Sequence, residues 1–177
     1  MSDFLTGFLI VFLLIVLNGG LAMAEMAIVS ARRPRLQQMA DEGNQGAKKA
    51  LALAEDPGDF LSTVQIGITL IGILTGAFSG AQLSQPVARL LAQIPALQPF
   101  AEPLAVGLMV LLITYLSLVV GELVPKRIAL NNAERIAAGS AAPMGIMSRI
   151  THPAVWVLDK SSNALLRLMG VKPSDEP

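Results

Sequence analysis

The sequence predicts an all-α membrane protein, with three transmembrane helices per subunit and amphipathic juxtamembrane helices between and after them. Three observations carry this. Of 177 residues, 53% are apolar and only 15% charged, where a soluble domain averages about 25% charged; mean hydropathy is +0.60. The charges are bunched and leave three long uncharged windows, each near the roughly 20 residues that cross a hydrocarbon core as a helix. The 13 basic residues fall almost wholly into two segments, the asymmetry by which short cytoplasmic loops are recognised. With 13 acidic residues in balance the chain is no strongly basic nucleic-acid binder. The absence of cysteine excludes a disulfide scaffold and a thiolate metal site.

The first window, Phe4 to Ala24, holds 21 uncharged positions rich in Leu, Ile, Val and Phe, and predicts a span over about 4–29. A secretory signal peptide would show a basic start and a shorter apolar core; residues 1–4 carry no Lys or Arg. The second window, Phe60 to Ala88, predicts a span over about 60–82. The third, Pro103 to Gly121, runs up to Glu122 and predicts a span over about 103–124. A weaker stretch, Ile136 to Leu158, is interrupted by Pro143, Arg149, His152 and Pro153. Its apolar pieces have the length of interfacial or re-entrant segments.

No basic residue precedes the first span. Arg32, Arg33, Arg35, Lys48 and Lys49 follow it, Arg89 stands alone between the second and third, and seven more follow the third. The positive-inside rule puts the N-terminus outside and the C-terminus in the cytoplasm of a multi-pass protein of the cell inner (plasma) membrane. A fourth full span would carry Lys160, Arg167 and Lys172 outside, against that rule.

Two cytoplasmic segments, about 31–55 and 140–169, read as juxtamembrane helices. In the first, Leu36, Met39, Ala40, Ala47, Ala50, Leu51 and Ala54 recur mostly at helical spacing, with Gly43 and Gly46 weakening the middle. In the second, Met147, Ile150, Ala154, Val157, Leu158, Leu165 and Leu168 form a stripe, and Gly170 and Pro173 supply a stop signal. Such stripes lie in the membrane interface or pack on another domain. The outer loop, 83–103, is punctuated by prolines and predicts short helical turns only.

Ionisable residues at membrane depth are expensive and are functional candidates by default. Glu25 and Glu122 qualify, though each lies at the inner end of its span, where the headgroup region is the other reading. Asn18 stands seven residues before Glu25 and so shares its helix face. Gln65, Thr69, Gly72 and Gly76 trace a polar and small line along the second span. Gly72, Gly76 and Gly80 equally make a ladder for close helix packing. In Gly121-Glu122-Leu123-Val124-Pro125-Lys126 the proline has no N–H, so the Gly121 carbonyl loses its helical partner. A freed carbonyl beside a carboxylate is how broken membrane helices make cation sites; a proline kink whose carbonyl meets water is the alternative. The metal candidates are therefore Glu122, Gly121, Glu25, Asn18, Gln65 and Thr69. All offer hard oxygen, which suits Mg²⁺ or Ca²⁺ rather than Zn²⁺. Tyr115 shares the Glu122 face, His152 reads as structural and Trp156 as an interface anchor. No nucleophile–base pair, histidine cluster or phosphate loop points to an enzyme.

Three runs carry a resemblance: Leu17-Asn18 with Ala24-Glu25-Met26-Ala27, Gln65-Ile66-Gly67-Ile68-Thr69-Leu70, and above all Gly121 to Lys126 followed by Ala129-Leu130. Over residues 5 to 160 the chain resembles the transmembrane domain of the CorC/cyclin-M (CNNM) magnesium transporter family, whose bacterial members are called haemolysin-like CorC/HlyC proteins. The resemblance implies a homodimer in the lipid bilayer that exports Mg²⁺, proposed to be coupled to Na⁺ entry. It also implies a following cytoplasmic pair of CBS modules, which bind ATP, and a CorC-type domain. On this reading residues 1–170 are the membrane domain and 171–177 begin the linker. The Mg²⁺ exporters carry Ser-x-Ser-Glu in the first span and a Gly-Asn-Asn-type run in the second. Here those positions read Ala22-Met23-Ala24-Glu25 and Gly67-Ile68-Thr69. Glu122 and the Gly121 carbonyl carry over from the family pattern; Asn18, Gln65 and Thr69 are physical substitutes read from this chain. Without the Ser and Asn ligands, an acidic cavity equally suits an organic polycation such as a polyamine. A non-transporting anchor for regulatory domains, with Glu25 and Glu122 serving packing and paired to Lys or Arg such as Lys126, is the reading from another class.

Overall fold

A computed structural model describes residues 2–170. The expected linker residues 171–177, with Lys172 and Pro173, lie outside them. The described residues fold as helices joined by short turns: α1 (Ser2–Ser30), α2 (Arg33–Asp41), α3 (Gln45–Glu55), α4 (Gly58–Phe78), α5 (Ser84–Leu91), α6 (Ala101–Leu118), α7 (Val124–Asn131) and α8 (Ala133–Leu168). Three stretches are long and apolar enough to cross a membrane, namely Phe4–Ser30, Gly58–Phe78 and Gln98–Asn131. The fold is thus an all-α membrane architecture with three spans.

Two of the joints are π turns rather than breaks. Ser79–Leu83 connects α4 to α5, and Val119–Leu123 connects α6 to α7. A π turn takes one residue more than an α turn and widens the helix locally, often where function needs it.

The segment expected as one helix over about 31–55 is two. Pro34 sits in the first turn of α2, where its missing N–H costs nothing. Gly43 ends α2 at φ +96°, a conformation that favours glycine. The Asn44 side chain then caps α3 by accepting the Ala47 N–H at 3.0 Å.

The second juxtamembrane segment differs from expectation in extent and in which face packs. Helix α8 runs unbroken through Pro143 and Pro153 and is 36 residues long. Ile150, Ala154, Val157, Leu158, Leu165 and Leu168 of the expected stripe are exposed, while Ala133, Ala137, Ala141 and Val155 are buried. The reason is steric. Alanines four apart let neighbouring backbones come close, the way membrane helices pack when lipid removes the hydrophobic drive. Gly46 of α3 lies directly against the Ala138 carbonyl, so α8 is clamped on one side by α3. On the other, fully buried Thr63 of α4 meets Thr151 of α8, hydroxyl to hydroxyl at 2.8 Å. His152, expected as structural, is exposed, and so is Trp156, whose ring lies 5.8 Å from Lys160 Nζ.

Two apolar clusters result. The larger joins the C-terminal half of α1 to α2, α3, α4, α7 and α8 around Ile28, Leu36, Phe60 and Val64. The smaller joins the N-terminal half of α1 to Leu83, Met109 and Ile113. The region between them on α1, from Ile15 to Leu21, is where the first span crosses the third.

A candidate cation site where the first span crosses the third

The crossing is built on missing atoms. Gly19 of α1 has no Cβ, and one added there would stand 2.9 Å from both Pro125 Cγ and the Val120 carbonyl oxygen. Gly121 opposite is buried, and a Cβ there would meet the Ile15 carbonyl oxygen at 3.3 Å and Asn18 Nδ2 at 3.4 Å. Backbone therefore lies against backbone.

The bonding at this point follows from Pro125. Its absent N–H leaves the Gly121 carbonyl without its α-helical donor. The chain responds with the π turn, in which the Val124 N–H reaches the Val119 carbonyl. The Gly121 carbonyl is taken up across the crossing, accepting from Asn18 Nδ2 at 3.0 Å. Because a carbonyl only accepts, it fixes the Asn18 amide with its NH₂ toward Gly121 and its oxygen the other way. That oxygen, Oδ1, is buried and has no hydrogen-bond partner among the described residues. A buried acceptor left unpaired costs on the order of 1–3 kcal/mol and calls for an explanation.

Glu122 follows Gly121, and its carboxylate accepts from Lys126 Nζ at 2.8 Å. The two side chains are 44% and 28% exposed. Glu25 lies one face-repeat beyond Asn18 on α1, about 10 Å along the helix, half-buried and with no hydrogen bond or ion pair among the described residues.

The structure thus brings Asn18 and Gly121 together; Glu122 is the next residue in the chain, and among the described residues its carboxylate bonds Lys126 and not Asn18. No hydrogen bond or ion pair joins Glu25, Gln65 or Thr69 to that group. Gln65 and Thr69 are exposed, on the α4 face that also carries exposed Gly72 and Gly76, with exposed Gly80 following in the π turn. Nothing lies within 4 Å of a Cβ added at any of those three glycines; Gly76 and Gly80 line a cavity whose far wall is Met109, Val110 and Ile113 of α6. Tyr115 is 65% exposed. Among the described residues no cluster of three or more His, Cys, Asp or Glu stands ready for a metal. From the sequence, Lys126 is expected only as a packing partner of the acids in the anchor reading; the structure shows its ion pair with Glu122, and the spacing of four is the signal for it in the sequence.

Three long apolar helices, two of them joined at a glycine crossing with a proline-freed carbonyl, define a multi-pass α-helical membrane domain. Residues 8–177 match the family described as the cyclin M transmembrane N-terminal domain, and the chain belongs to that family. It is 56% identical over 161 residues to the UPF0053 protein sll0260 of Synechocystis, covering 91% of this chain and 36% of that one. It is 41% identical over 164 residues to a protein of Escherichia coli named polyamine export protein, covering 93% and 36%. To the UPF0053 protein YhdT of Bacillus subtilis it is 33% identical over 174 residues, covering 98% and 38%. The chain spans little more than a third of the length of these curated relatives.

Proposed function

We propose that this domain exports a cation across the cell inner (plasma) membrane, and that the cargo passes the Asn18–Gly121–Glu122 group. The observation that carries this reading is the buried, unpartnered Asn18 Oδ1 beside a carbonyl that proline has released from its helix. Beyond the second Asn18 N–H and the Lys126 ammonium already on Glu122, what the group presents to a ligand is a set of acceptors: an amide oxygen, a second carbonyl lone pair and a carboxylate. Only a cation or a strong donor is complementary to that.

An organic polycation with primary ammonium groups is the favoured cargo. Such a head has three N–H donors and no acceptor, which matches the acceptor set. Glu122 already holds a primary ammonium, that of Lys126, at hydrogen-bond distance. The 41%-identical relatives of Escherichia coli and Salmonella typhimurium carry the name polyamine export protein. Mg²⁺ is the second reading, supported by the all-oxygen donor set; few protein ligands are available, so the ion would keep most of its water.

In this reading two copies form a homodimer, with the exposed Gln65–Thr69–Gly72 face of α4 covered by the second copy. Glu25 lies on the cytoplasmic approach, the N-terminus is outside, and CBS-pair and CorC domains of a longer chain regulate export through ATP. No nucleic acid is involved. Flux from proteoliposomes carrying the full-length protein tests the reading, with a labelled diamine and Mg²⁺ measured in parallel. Diamine flux that falls in Asn18→Leu and Glu122→Gln is the expected result. Flux of Mg²⁺ alone moves the assignment to the second reading; flux of neither, or variants as fast as wild type, defeats the site.

A further inference from the structure

The proposed function gives Glu122 a task only while cargo is present, and leaves open what neutralises it otherwise. We propose that Lys126 is a tethered stand-in for the cargo: its ammonium occupies Glu122 when the carrier is empty, yields when cargo arrives, and returns to expel it. This rests on the reading of Glu122 as the cargo carboxylate.

The geometry is specific. Glu122 is the last acidic residue of the third span, and Lys126 lies four positions on, across Pro125. Residues i and i+4 share a face, and Glu before Lys is the favourable order. Their contact is 2.8 Å. Neither neighbour competes: Asn18 Nδ2 is committed to Gly121, and Arg127 is exposed and outside any ion pair among the described residues. Lys126 is also free to leave. A lysine ammonium sits on a flexible four-carbon stem and readily extends toward water, whereas the Asn18–Gly121 joint is held by a close glycine crossing.

The chemistry follows from exchange of like for like. A primary ammonium of the cargo and Lys126 Nζ are the same group competing for one carboxylate. With one or the other in place, Glu122 is never left bare at membrane depth, where an unpaired charge is expensive. The empty carrier then resets without moving an uncompensated charge. The competition also weakens cargo binding, which promotes release on the far side.

The test uses the full-length protein, a diamine as probe, and three readings. Lys126→Met keeps the apolar stem and removes the competitor, so diamine is expected to bind about tenfold more tightly while turnover falls. Lys126→Arg keeps a cation and should retain both properties in part. Added methylammonium should restore turnover in Lys126→Met. In wild type, the rate of Lys126 acylation by acetic anhydride, read by peptide mass, should rise when diamine is added, while Lys48 and Lys49 stay constant. This last reading needs no variant to fold. Diamine binding that is equal in Lys126→Met and wild type, or Lys126 acylation indifferent to diamine, overturns the stand-in and leaves the export reading intact. A wild-type protein that neither binds nor moves diamine overturns both.

Discussion

Gly19 of α1 approaches Pro125 so closely that a methyl group at residue 19 would lie 2.9 Å from the proline Cγ, with the Val120 carbonyl oxygen equally near. Backbone cannot give way as a flexible side chain can. Gly19→Ala is therefore expected to cost about 1–3 kcal/mol, the usual penalty of overpacking. Its neighbour is the control. Nothing lies within 4 Å of a Cβ added at Gly20, so Gly20→Ala should be neutral or gain up to about 1 kcal/mol of helix propensity. Thermal unfolding of the two variants in the same detergent compares them. Equal melting temperatures would mean the crossing is looser than described.

Asn18 supplies the only side-chain donor to the Gly121 carbonyl among the described residues. Asn18→Leu fills the space but orphans that carbonyl, for an expected loss of about 1–3 kcal/mol. Asn18→Asp is the harsher change when ionised, because an acceptor then faces an acceptor. The order wild type, Leu, Asp in melting temperature is the expected result. An Asp variant as stable as wild type would show that Asn18 is not oriented by Gly121.

Pro125→Ala restores an N–H four residues after Gly121, able to close the missing α-helical bond. The Gly121 carbonyl then has two donors to choose from, and the π turn Val119–Leu123 loses its cause. Stability should hold within about 1 kcal/mol, the regained bond offsetting the lost ring contact with Gly19. Transport should fall nonetheless. Slow hydrogen exchange at the new residue 125 amide would mark the switch to an α turn; rapid exchange would show that the π turn persists for another reason.

Much of this was legible in the residues, and the rest was hidden for identifiable reasons. Uncharged runs betray spans because a bilayer tolerates few charges, so the three long helices could be read directly. The Gly121 carbonyl was legible because proline removes a donor by covalent structure alone. Its partner was not: Asn18 was singled out for sharing a face with Glu25, yet its contact lies 103 residues away, and one sequence holds no distance information of that kind. The π turns leave no compositional trace, since inserting one residue in a turn changes register and not polarity. The packed face of α8 was missed because burial was sought in large apolar residues, whereas close helix contact selects Ala133, Ala137 and Ala141. Gln65 and Thr69 share a helix face with the glycine ladder as read, but that face points away from Asn18.

Outside the spans, Glu134 opens α8 and is bonded to Arg32 Nε at 3.1 Å. Its own backbone N–H and then the Arg32 guanidinium hold its carboxyl below the usual glutamate range, burial opposing them. A carboxyl with a lowered folded pKa adds stability above its unfolded pKa and loses it as pH falls through the folded value. Arg32 is 73% exposed, so solvent limits the effect to about 1 kcal/mol or less. Wild type should therefore melt above Glu134→Gln at neutral pH, and the gap should close as the pH falls through and below the usual glutamate range. A gap that stays constant through that range would assign the difference to packing.

The length of α1 gives the crossing a further consequence. Phe4–Ser30 is 27 residues, about 40 Å of helix, against a hydrocarbon slab of about 30 Å. Asn18 then lies within the slab at any reasonable placement, and so does the Glu122–Lys126 pair, which flanks the Gly19–Pro125 contact at the same level; Glu25, about 10 Å further along α1, reaches the margin. Lengthening the lipid acyl chains thickens the slab and moves that margin further from the Glu122–Lys126 pair, so that Lys126 has further to reach for water and separation of the pair becomes costlier. Bilayer thickness becomes a rheostat on the site: transport should slow in long-chain lipid and quicken in short-chain lipid, without any change to the protein.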